Sequence, residues 1–398
     1  MKRQTRHLAA AAALAGTALL TTACAGGAGG AAPPPSAEGA VDSTGRLAVA
    51  YANGVAVLDG GTLTPVDEFA TEEFVRVNDF GDGRTIAVTT SKGFQLLDTA
   101  APALTDLTVG AKTPGHVVVH HGKTVLFDDG TGRTTILDTG VFGAGYETLP
   151  EGDVYTSPKA HHGVSIVLED DTLLTTVGDD SGRTGAVALH AHDGHWDVAA
   201  TGDQCPGIHG EGTAKGEAVV FGCEDGALLY RDGGFTKLTA PDAYGRMGNA
   251  FVSETSPLVV GDYKRDPDAE GYLLNAVTLI DTAAGTLDVV DLPKEVQYTF
   301  RGVARGPKDL AYILATDGSI HVLDPSGGQI TDSFPVVGAW QGPARWQDPH
   351  PAIKVDGDTA YVTEPATNSI HAVDLTTGDV TATVELPYTP NEIAIALG

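Results

Sequence analysis

Short apolar, β-branched runs that end in an aspartate and a turn recur from residue 55 to the end of the chain. The first three are Val55-Ala56-Val57-Leu58-Asp59, Phe94-Gln95-Leu96-Leu97-Asp98 and Thr134-Thr135-Ile136-Leu137-Asp138. A less regular copy, Val187-Ala188-Leu189, closes at Asp193. Leu228-Leu229-Tyr230-Arg231-Asp232, Val277-Thr278-Leu279-Ile280-Asp281, Ile320-His321-Val322-Leu323-Asp324 and Ile370-His371-Ala372-Val373-Asp374 complete eight copies, spaced by 39 to 55 residues. An aspartate entering a turn caps the local backbone, which explains its recurrence without a catalytic role. One or two further short strands precede each copy and an alternating strand follows it, as in Asp379-Val380 after Asp374. No segment shows a sustained helical period. Four short strands per unit at this spacing predict an all-β fold, a β-propeller of eight blades, with seven as the alternative if one weak repeat is misread. The first unit, from Arg46, lacks an inner strand, and Glu392 to Leu397 is a strand with no partner after it. The C-terminal strand is therefore expected to close the ring.

The N-terminus changes the picture of where this ring works. Lys2, Arg3 and Arg6 precede an Ala-rich apolar stretch, Leu8 to Leu20, that is too short to span a bilayer as a helix and reads as a signal peptide. It ends in Leu20-Thr21-Thr22-Ala23-Cys24, which resembles a bacterial lipobox. That resemblance implies cleavage after residue 23 and lipidation of Cys24; ordinary secretion with an incidental cysteine is the alternative. Residues 24–42, rich in Gly, Ala and Pro, read as a tether, and residues 43–398 as the propeller. The expected location is the outer face of the cytoplasmic membrane, at the cell surface or in the periplasm, with the membrane touched only through the lipid.

Loss of the leader leaves 21 basic residues against 52 acidic ones, a net charge of −31. Such a surface repels nucleic acid and anionic headgroups, so neither is expected as a partner. The two remaining cysteines, Cys205 and Cys223, make an even pair in an oxidising compartment and predict a disulfide. A thiolate metal site would more often show paired CxxC spacing.

Among the 13 histidines, three stand at the same point of consecutive repeats, where the innermost strand begins: His116, His162 and His209. The starts of inner strands ring one mouth of a propeller channel, so these imidazoles should converge. Three neutral imidazoles, with a carboxylate or water as fourth ligand, suit Zn2+; the bland alternative is that each satisfies buried backbone. Asp128, Asp129 and Glu211 are candidate fourth ligands. His120 shares a strand face with His116 and would line the channel deeper, while His161 faces away from His162. His190, His192 and His195 sit on a hairpin tip and read either as a loose metal trap or as an ordinary exposed turn. His321 and His371 occupy matching, structural places. Because deprotonated rings are needed, zinc affinity should fall as pH drops through about 6.5.

No GxSxG, HExxH or phosphate-binding glycine loop is present, and no acid/base pair can be nominated, so no enzyme is expected. The segments Ala160-His161-His162-Gly163-Val164, Cys205-Pro206-Gly207-Ile208-His209-Gly210-Glu211 and Val220-Phe221-Gly222-Cys223 resemble the AztD zinc metallochaperones. Pro114-Gly115-His116 with Leu126-Phe127-Asp128, Trp346-Gln347-Asp348-Pro349 and Leu386-Pro387-Tyr388-Thr389 extend the resemblance through most of residues 45–398. It implies a periplasmic or cell-surface protein that binds zinc and passes it to the AztC-like zinc-binding protein of an ABC importer; the chain is expected to be a monomer. The resemblance makes His116, His162 and His209 the principal ligands, with Asp128 a weaker candidate; from the residues themselves, His161, His120 and Glu211 are weaker candidates still. The family's second site, a His-rich loop before the first ligand, is expected to be absent or replaced here, since Leu107 to Thr113 contains no histidine and the hairpin of His190, His192 and His195 is the only local substitute. A propeller enzyme (a lactonase or a quinone-dependent dehydrogenase) and a metal-free adhesion scaffold are the competing readings.

Overall fold

The computed structural model describes residues 45–396. The leader, Cys24 and the tether lie outside the described residues. Eight antiparallel sheets follow one another along the chain, each built on four strands. Blade 1 comprises Arg46–Tyr51, Gly54–Asp59 and Pro65–Ala70. Its innermost strand is Glu392–Ala396, paired antiparallel with Arg46–Tyr51 in the register Arg46↔Ala396 to Ala50↔Glu392. Blades 2 to 8 have innermost strands Arg76–Asp79, Pro114–His120, Ser165–Val167, His209–Ala214, Ala250–Phe251, Val303–Arg305 and Ile353–Asp356. The eight-bladed expectation and the closing strand are both borne out. Among the described residues, the only helical elements are three short 3-10 turns.

Burial explains the strand chemistry. The middle strands of a blade are covered on both faces by neighbouring blades, so they read as continuous apolar runs. Gly54–Asp59 is buried at all positions but its last, whereas the outermost strand of blade 8, Val380–Glu385, is exposed or half-buried throughout. Leu47, Val49 and Leu58 of blade 1 pack on Tyr361 and Ile370 of blade 8 in one such layer. Each large aliphatic side chain buried this way stabilises by about 1.5–3 kcal/mol.

The recurring aspartates do the work assigned to them. Asp98 Oδ1 accepts from the Ala100 and Ala101 amides, Asp281 Oδ1 from Ala283 and Ala284, and Asp374 Oδ1 from the amide and hydroxyl of Thr376. Blade 4 departs from the pattern. Its third strand, Gly182–His192, is eleven residues long, so Asp193 belongs to a hairpin that overhangs the blade.

Candidate metal centre

His116 lies on the inner strand of blade 3, His162 in the loop entering that of blade 4, and His209 opens that of blade 5. Their ring centroids stand 5.4, 5.2 and 5.1 Å apart. One ring nitrogen from each lies within 4.8 Å of the others. Nitrogens bonded to one tetrahedral zinc at about 2.0–2.1 Å are themselves roughly 3.4 Å apart. Closing this triangle around an ion therefore takes only small side-chain rotations.

Local irregularities in the strands aim these rings. The pairing of Pro114–His120 with its neighbour slips between Pro114 and Val117, and that of His209–Ala214 slips between His209 and Glu211. Such bulges turn a side chain without ending the strand. Gly210 makes the second one, with φ of +63° and a place where an added Cβ would meet the Gly248 carbonyl oxygen at 2.4 Å. That same carbonyl accepts from His209 Nδ1 at 2.6 Å. The Cys205–Cys223 disulfide, with Cα atoms 5.0 Å apart, ties the turn before His209 to the neighbouring strand and bears out the expected pairing.

The neighbours of the rings prepare them for metal. With Nδ1 of His209 donating to a carbonyl, Nε2 carries the free lone pair. His162 repeats the pattern, its Nδ1 meeting Asp129 Oδ2 at 2.5 Å, while Asp129 Oδ1 accepts from the Gly163 amide. A carboxylate or carbonyl behind a histidine fixes its tautomer and orientation, the usual support of a zinc ligand. Burial first, then the neighbouring His209, His162, Arg76 and Arg183, hold His116 well below the ordinary imidazole range. Burial likewise lowers His209 to about 4, with His162, Arg246 and Arg183 adding to it against the Gly248 hydrogen bond. Both rings are therefore neutral and metal-competent well below pH 6.5. Proton competition from these two sets in at more acidic pH than the unperturbed value suggests.

The remaining candidates are placed elsewhere. Asp128 is a correction: its carboxylate accepts from the Lys112, Thr113 and Gly130 amides and the Thr131 hydroxyl, so its lone pairs clamp a loop. Its pKa is lowered, burial being outweighed by those hydrogen bonds. Asp129, one residue on, is the carboxylate that touches the cluster, behind His162. His161 is buried against Phe127, with Nδ1 on the Lys159 carbonyl and Nε2 on Thr176, leaving no nitrogen for a metal. His120 ends its strand four residues, roughly 13 Å, beyond His116 and pairs with Glu217 at 3.0 Å. Glu211 does not join the imidazole group; burial alone raises its carboxyl to about 7. Among the described residues, no protein side chain completes the tetrahedron, which leaves the fourth position open. His321 and His371 pair with Asp317 and Glu364 inside their own blades.

An eight-bladed propeller with an open three-imidazole cluster at one channel mouth is thus the class of molecule that fold and site define. No protein-family model matches the chain. It is similar to the zinc chaperone AztD of Citrobacter koseri, 24% identical over 304 residues, which are 76% of this chain and 70% of that protein. The structure of apo AztD from the same organism superposes with a TM-score of 0.71 at 21% identity, covering 88% of this chain and 97% of that one. The resemblance seen in the sequence is borne out along most of the chain. The dihydro-heme d1 dehydrogenase NirN, with TM-score 0.61 and 13% identity over 88% of this chain and 75% of its own, shares the fold alone.

Proposed function

We propose that this protein is an exported zinc chaperone. It holds Zn2+ as cargo on His116, His162 and His209 and passes it to the zinc-binding protein of an ABC importer. The observation that carries this reading is the meeting of three imidazoles from three consecutive blades, two of them with Nδ1 already engaged behind the site. The likeness to a zinc chaperone supports the choice of cargo.

The same geometry favours release as well as capture. Only three protein ligands converge, so an incoming ligand from a partner can take the fourth position before any histidine leaves. Arg76, Arg183 and Arg246 act electrostatically on the rings. Their positive charge opposes a bound dication and keeps affinity below what three imidazoles alone would give. The reading of residues 1–23 as a leader and of Cys24 as a lipid anchor supports a place outside the cytoplasm, and the disulfide fits an oxidising compartment.

Competition with a chromophoric zinc chelator tests the reading on the mature protein. Wild type should take up one tightly bound zinc, and the triple variant His116→Ala, His162→Ala, His209→Ala should lose it while keeping its thermal transition. Zinc-loaded protein mixed with the apo importer component should then transfer metal faster than a chelator alone can extract it. Tight zinc retained by the triple variant, or transfer no faster than dissociation, would overturn the proposal.

A further inference from the structure

A second group of metal-binding side chains stands on the overhanging hairpin of blade 4, where Gly182–His192 turns into His195–Gly202. Register places four of its residues on one face. Cross-strand partners share a face, and so do residues two apart on one strand. His192 opposes His195, and His190 opposes Asp197. One ligand atom from each of His192, His195 and Asp197 lies within 4.8 Å of the other two. His190 borders the patch, with Nε2 against the Thr172 hydroxyl at 3.2 Å.

The patch is rigid where it needs to be and free where it needs to bind. Asp193 and Gly194 have φ of +48° and +81°, the left-handed pair of a tight two-residue hairpin turn. Trp196 sits on the opposite face, donates its indole N–H to the Val154 carbonyl at 3.0 Å and packs edge-on against Tyr155. The hairpin is thereby pinned to blade 3 from behind. On the ligand face the side chains are exposed. The nearest acidic contacts, His192 to Asp193 at 3.7 Å and His195 to Asp197 at 3.5 Å, are too long to be hydrogen bonds. Little has to be broken for a cation to enter.

We infer that His192, His195 and Asp197 form a second, solvent-exposed site for an imidazole-favouring divalent cation such as Zn2+. Two imidazoles and a carboxylate are a zinc donor set, with His190 or water completing the shell. The site is separate from the central one. Thr176, which holds His161, pairs with Ala186, and His192 lies six residues further along that strand, roughly 20 Å. It faces the opposite end of the ring from the channel mouth that gathers His116, His162 and His209. Its full exposure, against the half-buried rings of His116 and His209 in the central cluster, makes it the weaker and faster-exchanging of the two.

Equilibrium dialysis of the mature protein against graded free Zn2+ tests the inference and keeps it apart from the central site. Wild type should bind two equivalents, one tight and one weak. His192→Gln with His195→Gln should lose only the weak one, and the triple His116, His162, His209 variant only the tight one. Asp197→Asn should weaken the second equivalent about tenfold with no effect on the first. The apo thermal transition of the hairpin variants should match wild type, because the substituted groups are exposed. A single equivalent in wild type, or a weak equivalent that survives the double His→Gln change, would overturn the second site whatever the central one does.

Discussion

At the scale of single residues, the three clustered histidines are legible because they stand at one point of consecutive repeats and ring geometry does the rest. Their support was not legible. Asp128 and Asp129 are adjacent at a strand end, and only the bulged pairing of Pro114–His120 and the loop turn decide which one meets His162. The outcome is Asp129, so Asp129→Ala should lower zinc affinity by about 10–100-fold, the usual cost of removing a histidine's orienting partner. Chelator competition checks this, and unchanged affinity would mean the contact does no orienting. His350 escaped sequence reasoning altogether, since nothing in its repeat position marks it. It is buried beside Phe300 and Trp340, with Nδ1 donating to the Asp348 carbonyl and Nε2 without a partner. Burial first, then Arg301, lowers it to about 4, against the opposing effects of the Asp348 hydrogen bond, Glu392 and Asp348. The folded value lies below the unfolded one near 6.5. The unfolded chain therefore takes up the proton first on acidification, and stability is lost as pH falls from 6.5 towards 4, by up to about 3 kcal/mol. His350→Gln should flatten that part of the pH profile in urea denaturation. Equal slopes for variant and wild type between pH 7 and 4.5 would refute the assignment.

Elements were read well where the period is plain and less well where it is broken. Strand runs ending in aspartate mark their blades because burial on both faces leaves continuous apolar stretches. The bulges at His116 and His209 give no such signal, as one extra residue barely disturbs an apolar pattern. Only Gly210 hints at the second. The disulfide works at this scale, closing a loop of 18 residues around the turn that delivers His209 to the mouth. Cys205 and Cys223 are both fully buried. A bridge over a loop this short contributes about 3 kcal/mol. Cys205→Ser with Cys223→Ser should therefore lower the unfolding free energy by about that amount. It should weaken central zinc binding more than hairpin binding, because the entry to His209 loses its tie. Calorimetry and dialysis on the same variant read both effects, and zinc affinity that tracks neither site would show the bridge to be purely a stability device.

At the scale of the whole molecule, the three-histidine cluster is a property of the ring. Imidazoles from three blades meet only if all eight blades hold their angular places, and the last seam is held by one strand. Glu392–Ala396 adds five register pairs to blade 1, and Ile393 and Ala394 bury into the layers on either side. Glu392 adds a charged tie across the channel mouth. Its carboxylate accepts from Arg76 of blade 2 at 3.0 Å and from Arg301, which precedes the inner strand of blade 7, at 2.8 Å. Both members of the second pair are buried, and burial pulls the Arg301 guanidinium down to about 10 despite Glu392 beside it. A buried ion pair is a weak source of stability when intact, but removing one partner strands the other charge at a cost of about 3–5 kcal/mol. Glu392→Ala should therefore destabilise the fold by roughly that amount, and Glu392→Gln, which keeps an acceptor, by less. Deleting residues 391–398 removes the apolar closure as well, and should abolish the single cooperative transition and central zinc binding together. The hairpin site makes the internal control. All its ligands come from one blade and its brace from the next, so it should outlast ring opening wherever blades 3 and 4 stay paired. Retention of tight central zinc by the truncated chain would show that the three histidine blades hold their geometry without the closed ring, and that the seam serves stability alone.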